Sequence, residues 1–205
     1  MHLPVRWRTA VSAATAALAA AALTAAPATA GTGASPGGCP DVPTVQPFAP
    51  WQDFADYFLA PDGNIEGGAS SWQLEDGAGV VEGNEPFAGA PGDHQSLRLP
   101  AGASATTAPM CIAEEHKTMR FFGTSTGAGP LRVDALYTKP NGKQKSVTLG
   151  AMRGTGAWAP SDALPMVVNE LAGDGNTLSV SLRFSAYGNA TWQIDDVYVD
   201  PFKTK

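Results

Sequence analysis

Three carboxylates are the residues whose type and spacing point most directly to chemistry. Asp195 and Asp196 are adjacent in the segment 192–199, where the apolar residues change from even to odd positions. Because successive residues of a strand point to opposite faces, one of these carboxylates shares a face with apolar neighbours unless a bulge turns both aside. An ionised carboxylate on an inner face is costly unless it is paired or coordinated to a cation. Glu66 is a third acid, in a glycine-rich segment ahead of Trp72.

The residues alone leave two interpretations of these acids open. In the first, a carboxylate on the inner face is coordinated to a cation. In the second, they accept hydrogen bonds at a sheet edge or pair with an arginine such as Arg98, Arg120 or Arg183.

A possible nucleophile lies in the segment 123–127, which satisfies the pattern G-x-S-x-G around Ser125. A nucleophile elbow needs a helix directly after the serine, but glycine and proline follow here and a strand-like pattern begins at Leu131. We interpret the segment as a glycine-rich turn. His94 and His116, the histidines beyond residue 30, lack the close spacing of metal ligands. The sequence therefore predicts no catalytic set. A secreted hydrolase of glycans or esters stays as an alternative. The two catalytic carboxylates of a glycosidase are defined by their separation in space, which the sequence does not show.

Two aromatic residues are candidates for ligand binding because aromatic faces stack on the C–H faces of sugars. Trp158 lies in the loop-like segment 156–160, and Tyr187 lies in the predicted turn 187–190. Trp72 and Trp192 are in phase with the apolar positions of their strands, so we place them in the core. The alternative for Trp158 and Tyr187 is that they pack against or cap the sandwich.

The elements that must position these residues are short strands. Apolar and polar residues alternate strictly over 178–184, and Leu131, Val133, Ala135 and Tyr137 alternate with Arg132 and Asp134, as expected for half-buried strands. Further strands are predicted at 71–75, 79–82, 96–99, 107–112, 118–123, 145–151 and 191–199. Hairpin turns are predicted at 140–142 and 187–190. Trp51, Phe54, Ala55 and Phe58 have helical spacing, which predicts one short helix within 47–59. About nine strands and one short N-terminal helix indicate an all-β, antiparallel β-sandwich.

The first 46 residues indicate export. Residues 1–30 have two arginines, a small apolar run and an Ala-x-Ala end, which predicts a signal peptide cleaved after Ala30 and a secreted protein. We predict that residues 31–46 form a Gly/Pro-rich tether and that residues 47–205 form the β-sandwich domain. Cys39 and Cys111 are the two cysteines, and the compartment permits oxidation, so we predict a disulfide between them.

Composition excludes several classes of protein. The chain has 205 residues, with 23 Gly and 17 Pro, which argues for one domain of short elements rather than a helical bundle. A net charge of −6 is unsuited to neutralising phosphates, so we expect no nucleic-acid partner. No second long apolar stretch follows the signal peptide, so we expect no membrane association after cleavage.

The segments 64–68 and 192–202, with Trp72 between them, resemble the two ends of jelly-roll carbohydrate-binding modules and related galactose-binding-like domains. The resemblance covers residues 60–202, with Ile65 in place of the usual Phe. The ending at 192–201 also resembles that of uncharacterised small secreted bacterial proteins. The resemblance to the modules implies a jelly roll and a structural Ca²⁺ held by Glu66 and by Asp195 or Asp196, with backbone carbonyls completing the shell.

These observations lead to one functional expectation. We expect a secreted, monomeric, non-catalytic β-sandwich that binds carbohydrate or another extracellular surface, such as a cell-surface polymer. The alternatives are the secreted hydrolase and a structural envelope or matrix protein that contacts other proteins.

Overall fold

The structure is a computed structural model that describes residues 38–139, 141–172 and 177–200. The predicted signal peptide and the first part of the tether lie outside these residues. The strands are Phe58–Leu59 (β1), Gln73–Glu75 (β2), Gly79–Glu82 (β3), Gln95–Leu99 (β4), Ser104–Thr106 (β5), Met110–Ile112 (β6), Thr118–Thr126 (β7), Leu131–Thr138 (β8), Gln144–Met152 (β9), Ala159–Pro160 (β10), Leu164–Pro165 (β11), Leu178–Ala186 (β12) and Thr191–Asp200 (β13). Two short 3₁₀ helices lie at Ala49–Trp51 and Val167–Leu171.

The strands form two antiparallel sheets. The seven-stranded sheet has the order β10-β7-β13-β4-β3, with β1 paired to β13 and β11 paired to β7. The six-stranded sheet has the order β2-β5-β12-β8-β9, with β6 paired to β12. This arrangement confirms the all-β sandwich. The extra strands beyond the predicted nine are mostly segments of two or three residues, too short to show a period in the sequence.

The core lies between the inner faces of the two sheets. Val180, Leu182 and Phe184 of β12 are buried there, while the intervening residues of that strand point outwards. Trp192 is fully buried and Trp72 stacks on Phe184 with ring centroids 5.9 Å apart, which confirms both tryptophans as core residues. Burying each large apolar side chain contributes about 1.5–3 kcal/mol.

A bulge in β13 resolves the change of phase that the sequence shows. The pairing of β13 with β7 shifts register between Asp195 and Tyr198, and Asp196 has a φ of 48°. The additional residue allows Ile194 before the bulge and Val197 after it to point into the same core.

The predicted helix within 47–59 is wrong. The segment has only the 3₁₀ turn Ala49–Trp51, which Gln52 ends in a left-handed conformation with a φ of 62°. Its second half is extended, because Phe58 pairs with Val199 of the last strand. Tertiary pairing therefore overrides the helical spacing, and Phe54, at that spacing, is 62% exposed.

The two predicted hairpins had different outcomes. β8 and β9 pair as neighbours around the turn at 139–143, which confirms the first hairpin. The second is wrong, because the turn at 187–190 joins strands of different sheets and carries the chain from the six-stranded to the seven-stranded sheet.

The predicted disulfide is confirmed. Cys39 and Cys111 are bonded, which fixes the start of the described chain to β6. Across the described ranges, no helix has both the length and the apolar character needed to cross a membrane.

Candidate functional site

The outer face of the six-stranded sheet is a polar surface built from five strands. Register places one residue of each strand in a row across the sheet, namely Gln73, Thr106, Arg183, Asp134 and Thr148. The next row is equally polar, with Glu75, Ser104, Ser185 and Arg132. Because these positions alternate with core residues, a strand that buries one face in the core places this set on its opposite face.

An open groove of about 620 Å³ crosses this face. Its lining includes the hydroxyl and amide side chains of Gln73, Thr106, Gln144, Ser146, Ser179 and Ser181. Leu136 adds an apolar patch. An adjoining pocket of about 370 Å³ is lined by Arg132, Ser185 and Tyr187, and Arg183 borders both spaces. Such a surface offers many hydrogen-bond donors and acceptors to a polyhydroxylated ligand.

Asp134 holds the charged end of this surface in place. Its buried carboxylate accepts hydrogen bonds from Arg132 Nε (3.0 Å), Arg183 Nη2 (3.3 Å) and the hydroxyl of Thr148 (2.7 Å). One carboxylate therefore fixes two guanidinium groups on neighbouring strands.

The structure places the two predicted aromatic platforms in different surroundings. Tyr187 is 41% exposed and lines the adjoining pocket, with the guanidinium carbon of Arg132 4.7 Å from its ring centroid. Trp158 is half-buried against an aromatic cluster on the seven-stranded sheet, formed by Phe48, Tyr57, Phe122 and Tyr198. The structure does not bring Tyr187 and Trp158 together, and their roles in ligand binding remain predictions.

A second polar cluster lies on the outer side of the seven-stranded sheet, at the bulge. Asp195 and Asp196 are 0% and 3% exposed. Asp195 accepts hydrogen bonds from the backbone N–H groups of Glu85 (3.3 Å) and Asp196 (2.8 Å). Burial, followed by the charge of Asp196, raises the pKa of Asp195 to about 8. The pKa of Asp196 is also raised, first by burial and then by the neighbouring Glu85.

Glu85 is a buried carboxylate that sequence analysis did not single out. It accepts hydrogen bonds from the backbone N–H groups of Phe87 (2.6 Å), Ala88 (2.6 Å) and Gly89 (2.8 Å), and so organises the loop between β3 and β4. No side-chain motif marks Glu85 in the sequence, because its partners Phe87, Ala88 and Gly89 contribute only backbone N–H groups.

Glu66 lies close enough to this cluster for its charge to raise the pKa of Asp196. Its carboxylate accepts hydrogen bonds from the backbone N–H groups of His94 (2.8 Å) and Gln95 (2.6 Å) and lies 3.2 Å from His94 Nδ1. The expectation that the two ends of the sandwich meet is confirmed, because β1 pairs with β13. Two of the arginines considered as partners form ion pairs with other acids, Arg120 with Asp53 and Arg183 with Asp134.

The side-chain oxygen atoms at the bulge supply only part of the oxygen shell that a hard cation needs. Asp196 Oδ2 is buried and has no hydrogen-bond partner in the described residues. Within the same ranges, no group of three or more His, Cys, Asp or Glu side chains is placed to hold one metal ion. A cation here would therefore need backbone carbonyls in addition to carboxylates.

The G-x-S-x-G segment has no catalytic geometry. Residues 123–126 belong to β7, so the interpretation of the segment as a turn was wrong, and no helix follows Ser125. Ser125 is buried, and its hydroxyl has no hydrogen-bond partner among the residues described. His116 accepts a hydrogen bond from the backbone N–H of Ala113, and burial lowers its pKa.

Comparison with solved structures shows the fold. The CBM22-1–GH10 modules of endo-1,4-β-D-xylanase 10B from Clostridium thermocellum, complexed with xylohexaose, match with a TM-score of 0.51 and 9% identity over 67% of this chain. The CBM22-1–CBM22-2 tandem domain of Xyn10C from Paenibacillus barcinonensis matches with a TM-score of 0.51 and 15% identity over 73% of this chain. The chain spans 27% and 46% of those two structures.

No protein-family model matches the chain, and no curated protein matches it. The match to the two CBM22 structures shows that the chain has the jelly-roll fold of carbohydrate-binding modules, as the sequence resemblance implied.

Proposed function

We propose that the protein is an exported, non-catalytic carbohydrate-binding module whose glycan lies in the groove on the outer face of the six-stranded sheet. The observation behind this proposal is the groove itself, about 620 Å³ of open space lined mainly by hydroxyl, amide and guanidinium groups. It is supported by the fold, which the chain shares with CBM22 modules, one of them in a structure solved with xylohexaose.

The chemistry of the groove favours binding over hydrolysis. A glycosidase needs two carboxyl groups on opposite sides of the scissile bond. Within the described residues, the side chains that line the groove and the adjoining pocket include no Asp or Glu. Many weak hydrogen bonds to sugar hydroxyls, with the apolar contact of Leu136, suit reversible binding of a chain of sugars.

Retention of the full exported chain on insoluble polysaccharides, and calorimetric titration with soluble glycans, test this proposal. Ser181→Phe places a ring on the groove floor, and we expect it to abolish binding without unfolding the protein. Thr126→Phe is the matched control, because Thr126 is an exposed residue at the end of β7 in the other sheet. Absence of binding to every neutral and acidic glycan, or equal binding by both variants, would contradict the proposal.

We further propose that the bulge binds a structural Ca²⁺ through Glu66 and Asp196, with backbone carbonyls completing the oxygen shell. The support is the buried, unpartnered Asp196 Oδ2 beside carboxylates whose charges act on one another. Such an ion would neutralise the negative charge of these carboxylates and hold the bulge and the β3–β4 loop together. We expect Ca²⁺ to raise the melting temperature and EDTA to lower it. A melt that is unaffected by either addition would contradict the site.

A further inference from the structure

The groove differs in charge from the rest of the chain. Its lining and that of the adjoining pocket include three cationic side chains, Arg132, Lys145 and Arg183, and no carboxylate in the described part of the chain. The whole sequence, by contrast, has a net charge of −6. A cationic surface on an acidic protein attracts anions while the remainder of the molecule repels them.

The two arginines have more donors than their buried partner can use. Asp134 Oδ2 accepts from both Arg132 Nε and Arg183 Nη2, and Asp134 Oδ1 accepts from Thr148. One negative charge is thus shared by two positive charges, and the other acid of these two rows, the exposed Glu75, accepts a hydrogen bond from the hydroxyl of Ser104. Arg183 Nε is buried without a hydrogen-bond partner among the residues described.

The guanidinium groups are held in fixed positions at the pocket. The guanidinium carbon of Arg132 lies 4.7 Å from the ring centroid of Tyr187, and its Nε donates to Asp134 Oδ2. Arg132 pairs in register with Ser185, and Arg183 pairs with Asp134, so the two arginines are diagonal neighbours on adjacent strands. Diagonal neighbours in an antiparallel pair lie roughly 7–8 Å apart at Cα, within the span of one sugar residue and its substituent.

We propose that the pocket at Tyr187 binds the carboxylate of a uronic acid, so that the glycan recognised by the groove is an acidic polysaccharide. This inference rests on the proposed function and adds the class of sugar. A guanidinium donates two parallel hydrogen bonds to a carboxylate, a geometry that neutral hydroxyls do not match. The pocket of about 370 Å³ lies within the range of small-ligand sites, and Ser185 adds a hydroxyl beside the arginines.

The experiment compares acidic polysaccharides with their own carboxyl-reduced forms. The full exported chain is assayed by affinity electrophoresis against polygalacturonate, alginate and glucuronoxylan, each before and after reduction of the uronic acids to neutral hexoses. We expect at least one acidic form to bind roughly tenfold more tightly than its reduced form, and increasing salt to narrow the difference. A sulfated galactan serves as a third arm, to distinguish recognition of a carboxylate from attraction to any anion.

Variants assign the effect to the pocket. Arg132→Gln should lose the roughly tenfold preference for the acidic form over the reduced form, and Arg132→Lys should retain only part of that preference. Asp134 keeps Arg183 and Thr148 as partners in these variants, so the fold should persist, as an unchanged melt would verify. Arg98→Gln is the matched control, because Arg98 is an exposed arginine on β4 of the other sheet.

The outcomes separate this inference from the proposed function. Equal binding of acidic and reduced forms, or a preference that survives Arg132→Gln, would overturn the uronic-acid inference and leave glycan binding in place. Binding of the sulfated galactan in preference to every carboxylate polymer would also overturn it. Failure to bind any glycan would overturn both.

Discussion

The two sheets bury similar inner faces but differ completely on their outer faces. The outer face of the six-stranded sheet is open and hydroxyl-rich, and its one buried charge, Asp134, is satisfied by neighbours on the same face. The outer face of the seven-stranded sheet is covered by the N-terminal segment and the β3–β4 loop, which enclose Phe122 and the carboxylates of the bulge. One face is thus available to a ligand, and the other is a second, smaller core.

This difference separates residues that bind from residues that stabilise. Phe48 stacks on Phe122 with centroids 5.1 Å apart, and the guanidinium carbon of Arg120 lies 4.2 Å from the Phe48 ring. Substitutions on the covered face should therefore act on folding, while substitutions on the open face should act on ligand affinity. Four predictions examine this contrast, from the largest expected change in stability to the smallest.

Phe122→Ala should lower the free energy of unfolding by about 3–5 kcal/mol, because it removes a fully buried ring shared by several aromatic neighbours. Leu136→Ala, on the open face, should lower it by far less. Urea unfolding measures both. Similar losses in the two variants would show that the covered face is not a second core.

Replacing Cys39 and Cys111 together by alanine should lower the free energy of unfolding by about 2–4 kcal/mol, since the bond closes a long loop in the unfolded chain. The glycan affinity of the folded variant should not change, because neither cysteine lines the groove. Reduction of the wild-type protein provides the control. A loss of affinity with no loss of stability would show that the disulfide shapes the groove rather than stabilising the fold.

The metal-free protein should be less stable at pH 8 than at pH 5. The pKa of Asp195 is about 8 in the folded state, against a usual value of 3.8, so the folded protein retains a proton that the unfolded chain releases. The resulting stabilisation is complete below about pH 4 and is lost as the pH rises through 8. Glu66, Glu85 and Asp93 face Asp196, and their charges act in the same direction.

Thermal melts between pH 4 and 9 in EDTA measure this dependence. Asp196→Asn should flatten it by removing one of the coupled acids, whereas Asp162→Asn, at an exposed position, should not. Added Ca²⁺ should stabilise the wild type most at high pH. A metal-free protein whose stability rises from pH 5 to 8 would contradict the raised pKa values.

Ser181→Ala should change the free energy of unfolding by less than about 0.5 kcal/mol, because the side chain points into the open groove. Its effect should appear in glycan affinity instead, as a modest loss in titration. A large drop in melting temperature would show that the groove floor is part of the packed structure.

The sequence predicted the parts of the fold that follow from local periodicity. Strict alternation over 178–184 predicted which residues of β12 face the core, and the broken phase at Asp195 and Asp196 left open either an inner-face carboxylate or the bulge that the structure has. The approach of Glu66 to Asp196 followed from resemblance to a known fold rather than from any local pattern.

The groove could not be predicted because it depends on pairing between strands that are distant in the chain. Thr106 and Asp134 flank Arg183 only because β5 and β8 pair with β12, and a single sequence does not reveal that register. The helix predicted within 47–59 failed for the same reason, since pairing with β13 outweighed local spacing. Glu85 was missed because its partners are backbone N–H groups, which no side-chain motif records.

The disulfide also determines where a mechanical load would enter the molecule. Tension applied to the chain ahead of Cys39 passes through the covalent bond to Cys111 in β6, which is hydrogen-bonded to β12. The segment 40–57, which covers the seven-stranded sheet, bears none of this force and therefore stays packed on that sheet. A protein held by its N-terminus and pulled by a bound polymer would thus bear the force within the sheet that forms the groove.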